Sequence, residues 1–254
     1  MILARAKDLT WNSDRSFKPA YFAGNDVLEV AHEGYKMYID ENALYGKTSY
    51  PSLHRYETEI IEMLIDLLNG PKNSGGSLTS GGTESNIVAM NTVREWAKER
   101  KPEISSPEII VPRTAHPSFE KGAKLLQMKV VRLEKSPNLD VDLIGMEQAI
   151  NANTVMVVGS APPYPYGHTD PIGEIGTIAA KHGLWLHVDG CLGGFILPFA
   201  REFDPSIPDF DFLVPSVNSI SLDIHKYGYA AKGVSALMFQ NKSHADYNRT
   251  SFDD

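Results

Sequence analysis

Residues 154–190 read TVMVVGSAPPYPYGHTDPIGEIGTIAAKHGLWLHVDG. The run 154–160 is short, apolar and β-rich, as a buried strand requires. Pro171 to His182 then carries a helical pattern, and Gly183 supplies a left-handed cap. The run 185–190 is β-rich again. Strand, helix and strand in that order announce a largely parallel sheet with crossover helices.

The same alternation extends in both directions. Further strands are expected near 77–80, 108–113, 129–133, 219–225 and 235–239, with helices from Thr83 to Arg100, Pro117 to Gln127 and Asp142 to Ile150. Upstream, Leu53, Tyr56, Ile60, Met63, Leu64, Leu67 and Leu68 recur at helical spacing, and Asn69-Gly70-Pro71 supplies a stop. Residues 1–50 show no sustained period and are broken at Lys18-Pro19, Gly24-Asn25 and Gly34, which reads as an irregular arm. One α/β domain over 51–254, preceded by that arm, is the expected organisation, with 204–211 as a connector. The polar stretch 247–254 follows the last strand directly, where a chain of this pattern would continue, so a C-terminal domain is expected to be missing.

With 254 residues and 42% of them hydrophobic, the chain can bury a sizeable core. Its 24 Lys plus Arg against 32 Asp plus Glu give a formal charge of −8, which argues against general binding to nucleic acid or anionic membrane. A single cysteine, Cys191, cannot form an intrachain disulfide, so no oxidising compartment is needed and a cytosolic setting is simplest. Residues 1–11 lack an apolar core of signal-peptide length, and no window approaches the ~20 apolar residues of a membrane helix.

In open α/β sheets ligands sit beyond the carboxyl ends of the strands, so polar residues there come first. Thr79-Ser80-Gly81-Gly82-Thr83 puts two glycines before a helix whose free amides and dipole suit an anion such as phosphate; a plain glycine turn with a cap is the bland alternative. It is neither a Walker loop nor a dinucleotide fingerprint. Asp189 ends an apolar strand, where a carboxylate needs a cationic partner such as a protonated ring nitrogen. His187, two residues earlier on the same face, raises a metal pair as a rival, but no third ligand stands at a recognisable spacing, and a satisfied buried histidine is the better reading. Ser219, Ser221, Asp223 and His225 share one face of the next strand and place Lys226 inward. An amine whose pKa is lowered by burial or by cationic neighbours can form a Schiff base, although a surface charge is the ordinary fate of a lysine. His116 could stack on a planar ligand or cap the following helix, and Ser160 closes a neighbouring strand. An anion cradle, a planar stacker, a carboxylate for a ring nitrogen and a late lysine together have one economical guest, pyridoxal 5′-phosphate.

Three stretches carry a resemblance: Thr79-Ser80-Gly81-Gly82-Thr83-Glu84-Ser85-Asn86, the run His187 to Phe195, and Asp223-Ile224-His225-Lys226-Tyr227-Gly228. They resemble the group II decarboxylase superfamily of fold-type I pyridoxal-phosphate enzymes. The run Gly159 to Gly167, then Asp170-Pro171-Ile172 and the segment ending at Phe199, is similar to the sphingosine-1-phosphate lyase branch. The fold so implied is an aspartate aminotransferase-like large domain, a mostly parallel seven-stranded sheet with helices on both faces.

The resemblance also implies roles. Lys226 forms the Schiff base with the cofactor, Asp189 pairs with its ring nitrogen and His116 stacks on the ring. Gly82, Thr83 and His225 hold the phosphate, with Gly81, Ser160 and Asp223 in the cofactor-binding set. Tyr164 matches a tyrosine near the substrate, and Asn42 an asparagine of an N-terminal active-site loop. Gly190 departs from the alanine of many relatives. A homodimer with a shared site acting on a small amine is expected. The implied reaction is retro-aldol cleavage of a phosphorylated long-chain amino alcohol, giving a fatty aldehyde and phosphoethanolamine. An amino-acid decarboxylase shares every cofactor contact and is the alternative. A truncated chain that binds the cofactor without turnover is a third reading.

Overall fold

A computed structural model describes residues 20–134, 140–164 and 166–248. The readings made for 1–11 and for the chain beyond Asn248 lie outside the described residues.

Seven strands form one sheet in the order β1-β7-β6-β5-β4-β2-β3. They are β1 (Gly75–Thr79), β2 (Glu108–Val111), β3 (Lys129–Arg132), β4 (Thr154–Ser160), β5 (Trp185–Asp189), β6 (Val217–Leu222) and β7 (Ser235–Phe239). All pairings are parallel except those of β7, which runs antiparallel to both β1 and β6. Two reversals restore β1 to the direction of β6. The carboxyl ends of β1, β4, β5 and β6 therefore share an edge with the first residue of β7, and Thr79 pairs with Ser235 there.

The chain divides into two compact units at Ile39/Asp40. In the first, α1 (Asn25–Tyr38) corrects the expectation of an irregular arm. Val27, Leu28, Ala31, Tyr35 and Tyr38 do recur at three- and four-residue spacing, but Gly34 interrupts the pattern.

In the second unit, α2 (Pro51–Leu67) begins with proline in its first turn, where the missing N–H costs no hydrogen bond. It is followed by α3 (Gly82–Arg100), α4 (Ser118–Leu126), α5 (Leu143–Ala149), α6 (Ile172–His182) and α7 (Leu197–Phe203). Gly183 closes α6 at φ 59°, as the sequence requires.

The strands separate two cores. On one face Ile110, Val157, Leu186, Val188, Ile220 and Leu222 pack with Leu64 of α2, Met146 of α5 and Ile172, Ile175 and Ile178 of α6. On the other, Ile109, Val111, Met156, Val158, Trp185, Leu237 and Phe239 pack with Ala89, Met90 and Val93 of α3 and Phe119 of α4. Each such side chain contributes roughly 1.5–3 kcal/mol by leaving water.

One boundary correction bears on the site. β6 ends at Leu222, three residues before the expected end. Ser219 and Ser221 do share a strand face, but Asp223 and His225 lie in the turn beyond it. There the His225 N–H bonds the Val234 carbonyl at 2.9 Å, so the backbone folds back toward β7 instead of extending.

Candidate active site

A cavity of about 290 Å³ opens at that sheet edge. Its lining includes Gly81, Gly82, Thr83, His116, Ser160, Tyr164, Asp189, Asp223, His225 and Lys226. Of the site residues expected from sequence, Asn42 is not in this lining. Its side chain accepts the Leu44 N–H at 3.0 Å and starts a 3-10 turn over Ala43–Tyr45. Asn86, Cys191, Leu192, Pro162 and Pro163 complete the lining without having been assigned roles. Asn86 had a legible signal, because it stands one helical turn after Gly82 and so shares its face.

The cradle is built by α3. Glu84 accepts from both the N–H and the hydroxyl of Ser80, at 2.6 and 2.5 Å, which fixes the loop entering the helix. The amides of Gly82 and Thr83, in the first turn, have no acceptor within the helix, and both residues line the cavity. A Cβ on Gly82 would lie 2.4 Å from Cys191 Sγ and 2.9 Å from Asp223 Oδ1, so only glycine brings the backbone this close.

Asp189 is nearly buried. Its Oδ2 accepts from Asn86 Nδ2 at 3.2 Å and its Oδ1 from the Cys191 N–H at 3.1 Å. Gly190 sits beneath it, where a Cβ would come within 3.0 Å of the Ser221 carbonyl, so the expected departure from alanine coincides with a tight backbone contact.

Lys226 Nζ lies 2.7 Å from Asp223 Oδ2, and Asp223 Oδ1 accepts from Ser235 Oγ at 2.5 Å. Burial alone would lower the lysine's pKa, but the Asp223 charge and hydrogen bond outweigh it and hold the amine above its ordinary value. This corrects the expected direction. The strand reading had placed Asp223 on a face beside His225, whereas the turn brings its carboxylate onto the lysine.

His225 donates from Nδ1 to the Val234 carbonyl at 2.9 Å, and its Nε2 lies 3.8 Å from Asp223 Oδ2 at the cavity wall. The exposed His116 accepts the Ser118 N–H at Nδ1 at 3.2 Å, so it both anchors the start of α4 and lines the mouth. His187 is fully buried and both ring nitrogens have partners, with Nδ1 2.8 Å from Ser219 Oγ and Nε2 3.1 Å from Asn86 Oδ1. Burial pushes its pKa down to about 4. Both ring nitrogens of His187 are thus engaged within the protein, and among the described residues no group of three or more His, Cys, Asp or Glu could hold a metal ion. Asp170, fully buried, accepts the Ser160 N–H at 2.7 Å, and burial raises its pKa to about 7.

This donor set fits a phosphorylated aromatic aldehyde. The cradle at Gly82 would be filled by any larger residue, the Ser160 hydroxyl is buried at the cavity wall without a partner among the described residues, and the carboxylate and amine reach the same space.

Residues 6–249 match the pyridoxal-dependent decarboxylase conserved domain. The chain is 41% identical over 241 residues to the sphingosine-1-phosphate lyase of Dictyostelium discoideum, covering 94% of this chain and 45% of that protein. It is 37% identical over 238 residues to the L-aspartate/L-glutamate decarboxylase of Pyrococcus horikoshii, covering 94% of this chain and 60% of that one. Among solved structures, a sphingosine-1-phosphate lyase of Burkholderia pseudomallei superposes with a TM-score of 0.85 at 40% identity, over 90% of this chain and 54% of that chain. The chain thus spans about half the length of the lyases it matches.

Proposed function

The chain belongs to the pyridoxal-dependent decarboxylase family, and from that premise we propose that it forms the cofactor-binding part of a carbon–carbon lyase acting on a phosphorylated long-chain amino alcohol such as sphingosine 1-phosphate. The observation that carries the proposal is the convergence of Lys226 and Asp189 on one small cavity beside the first turn of α3. Identity of 40–41% to lyases, against 37% to a decarboxylase over a similar share of this chain, supports the lyase reaction.

Pyridoxal phosphate, when bound, supplies an aldehyde for amines and a ring that accepts the electron pair of the broken bond. Asp189 would hold the proton at the ring nitrogen, and the Asn86 and Cys191 N–H groups hold Asp189. Gly82, Thr83 and His225 bind the phosphate, with Gly81 giving room for close approach. His116, at the cavity mouth, would be the group to cover the ring. Lys226 would hold the aldehyde through its Nζ, and Asp223, 2.7 Å from that amine, would take up the proton that the ammonium gives up and could hand it back when the amine is free again. Tyr164 stands at the exposed rim, where it can meet the substrate's hydroxyl-bearing end.

Two copies are expected to share their sites, with Asn42 offered to the neighbouring cavity. A cytosolic setting fits the lone cysteine, and among the described residues no helix is long and apolar enough to cross a membrane.

The similarity to an amino-acid decarboxylase keeps one second reading alive. Incubating the loaded chain with sphingosine 1-phosphate and with L-aspartate or L-glutamate separates the two. A fatty aldehyde is expected; carbon dioxide without aldehyde would favour the decarboxylase. Borohydride should trap the cofactor on the parent and not on Lys226→Ala. Trapping with no turnover of any amine would mark a binding fragment.

A further inference from the structure

A line of buried polar groups runs from the hydrophobic core to the cavity along the sheet face covered by α3. We infer that Asn86 is a positioning residue for Asp189, its amide orientation fixed by a one-way hydrogen-bond chain that starts at the Trp185 indole. The functional part of this inference rests on the cofactor reading above.

The direction of every bond follows from what each group can donate. Asp189 accepts only, so the Asn86 NH₂ faces it, at 3.2 Å, and also serves Ser118 Oγ at 2.9 Å. The Asn86 oxygen then faces His187 Nε2 at 3.1 Å and must receive a proton from it. With its single proton on Nε2, the neutral imidazole accepts at Nδ1, where the Ser219 hydroxyl stands at 2.8 Å. Ser219 Oγ in turn accepts from Trp185 Nε1 at 2.9 Å, and an indole N–H can only donate. The second lone pair of the Asn86 oxygen is taken by the Ser221 hydroxyl at 2.8 Å. All four hydrogen-bonding positions of the Asn86 amide are filled, and no flipped amide or alternative tautomer satisfies both ends.

The starting point is rigid. Trp185 meets Trp96 and Phe239 edge-on, with ring centroids 5.8 and 6.4 Å away, and Phe119 meets the His187 ring at 6.0 Å. The strand register places His187 beside Ser219 and Asp189 beside Ser221, so alternate rows of the sheet, on one face, supply the chain's links. Burial keeps the imidazole neutral despite the nearby Asp189 charge, so it has one proton to give. A buried polar chain is costly unless every member is satisfied, and this one ends on the carboxylate assigned to the cofactor's ring nitrogen.

The first measurement uses the unmodified chain without cofactor. Nitrogen-15 spectra of the imidazoles should show His187 neutral with its proton on Nε2, and a proton on Nδ1 would overturn the inference. The second uses pyridoxal phosphate labelled at the ring nitrogen. Asn86→Leu should bind it about tenfold more weakly and lose ring-nitrogen protonation, while borohydride still fixes the cofactor to Lys226. Parent-like affinity and protonation in Asn86→Leu would overturn it. Ser219→Thr, which keeps the hydroxyl, should retain the parent spectrum, and Ser219→Ala should not. If the parent takes up no cofactor, the reading under Proposed function fails, and the His187 tautomer alone decides the inference: Nε2–H sustains it and Nδ1–H ends it.

Discussion

Asp170 and His187 are both fully buried near the cavity, and burial displaces them in opposite senses. Between pH 4 and 6.5 the unfolded chain binds a proton at His187 that the folded chain refuses, so this residue's contribution to stability rises with pH and is complete above 6.5. Asp170, raised from 3.8 to about 7, keeps a proton when folded that the unfolded chain has already released. Its contribution is full below 3.8 and is lost as pH climbs to 7. Each displacement corresponds to roughly 3–4 kcal/mol, so the two oppose one another across the acidic range. Asp170→Asn keeps an acceptor for the Ser160 N–H and removes the falling component. Denaturant unfolding of that variant should therefore show stability rising more steeply between pH 4 and 6.5 than in the parent; parallel profiles would show that Asp170 titrates normally. Asp189 was legible in the sequence because a charged group at the end of an apolar strand is conspicuous, and Lys226 was legible only together with the glycine cradle, His116 and Asp189. The roles of Asn86 and Asp223 were not, since each depends on contact with residues far along the chain or across a turn.

The strands and crossover helices were legible as elements because their apolar period is set by burial on two faces. What escaped was set by local detail. Helix α7 announces itself only by Pro198 in its first turn, and the end of β6 is decided by a turn whose bonds run to Val234. The start of α3 offers the clearest test at this scale, because its two glycines differ. A Cβ on Gly81 meets nothing within 4 Å and its backbone is extended, whereas one on Gly82 collides with Cys191 and Asp223. Gly82→Ala should cost roughly 1–3 kcal/mol of stability and weaken pyridoxal phosphate binding in equilibrium dialysis, while Gly81→Ala stays near the parent. Equal effects would remove the close-approach argument.

At the scale of the molecule, the strand next to one edge of the sheet runs backward. Because β7 is antiparallel, it offers its first residue to the site, and Ser235 is the group that steadies Asp223. The parallel order was legible from the alternation of strands and helices, but the reversal of β7 was not, since no periodicity encodes strand direction. Among the described residues strand β1 pairs only with β7, about 160 residues later in the chain, so its contacts are among the most distant in sequence. A chain shortened before Ser235 should leave the β1 amides open to hydrogen exchange while β4 and β5 stay protected. Comparable protection of all three would show that β1 holds without its partner. During synthesis, β1 leaves the ribosome long before β7 exists, so the growing polypeptide carries that strand without its partner while the intervening residues are made, and a holdase chaperone would find its natural client there.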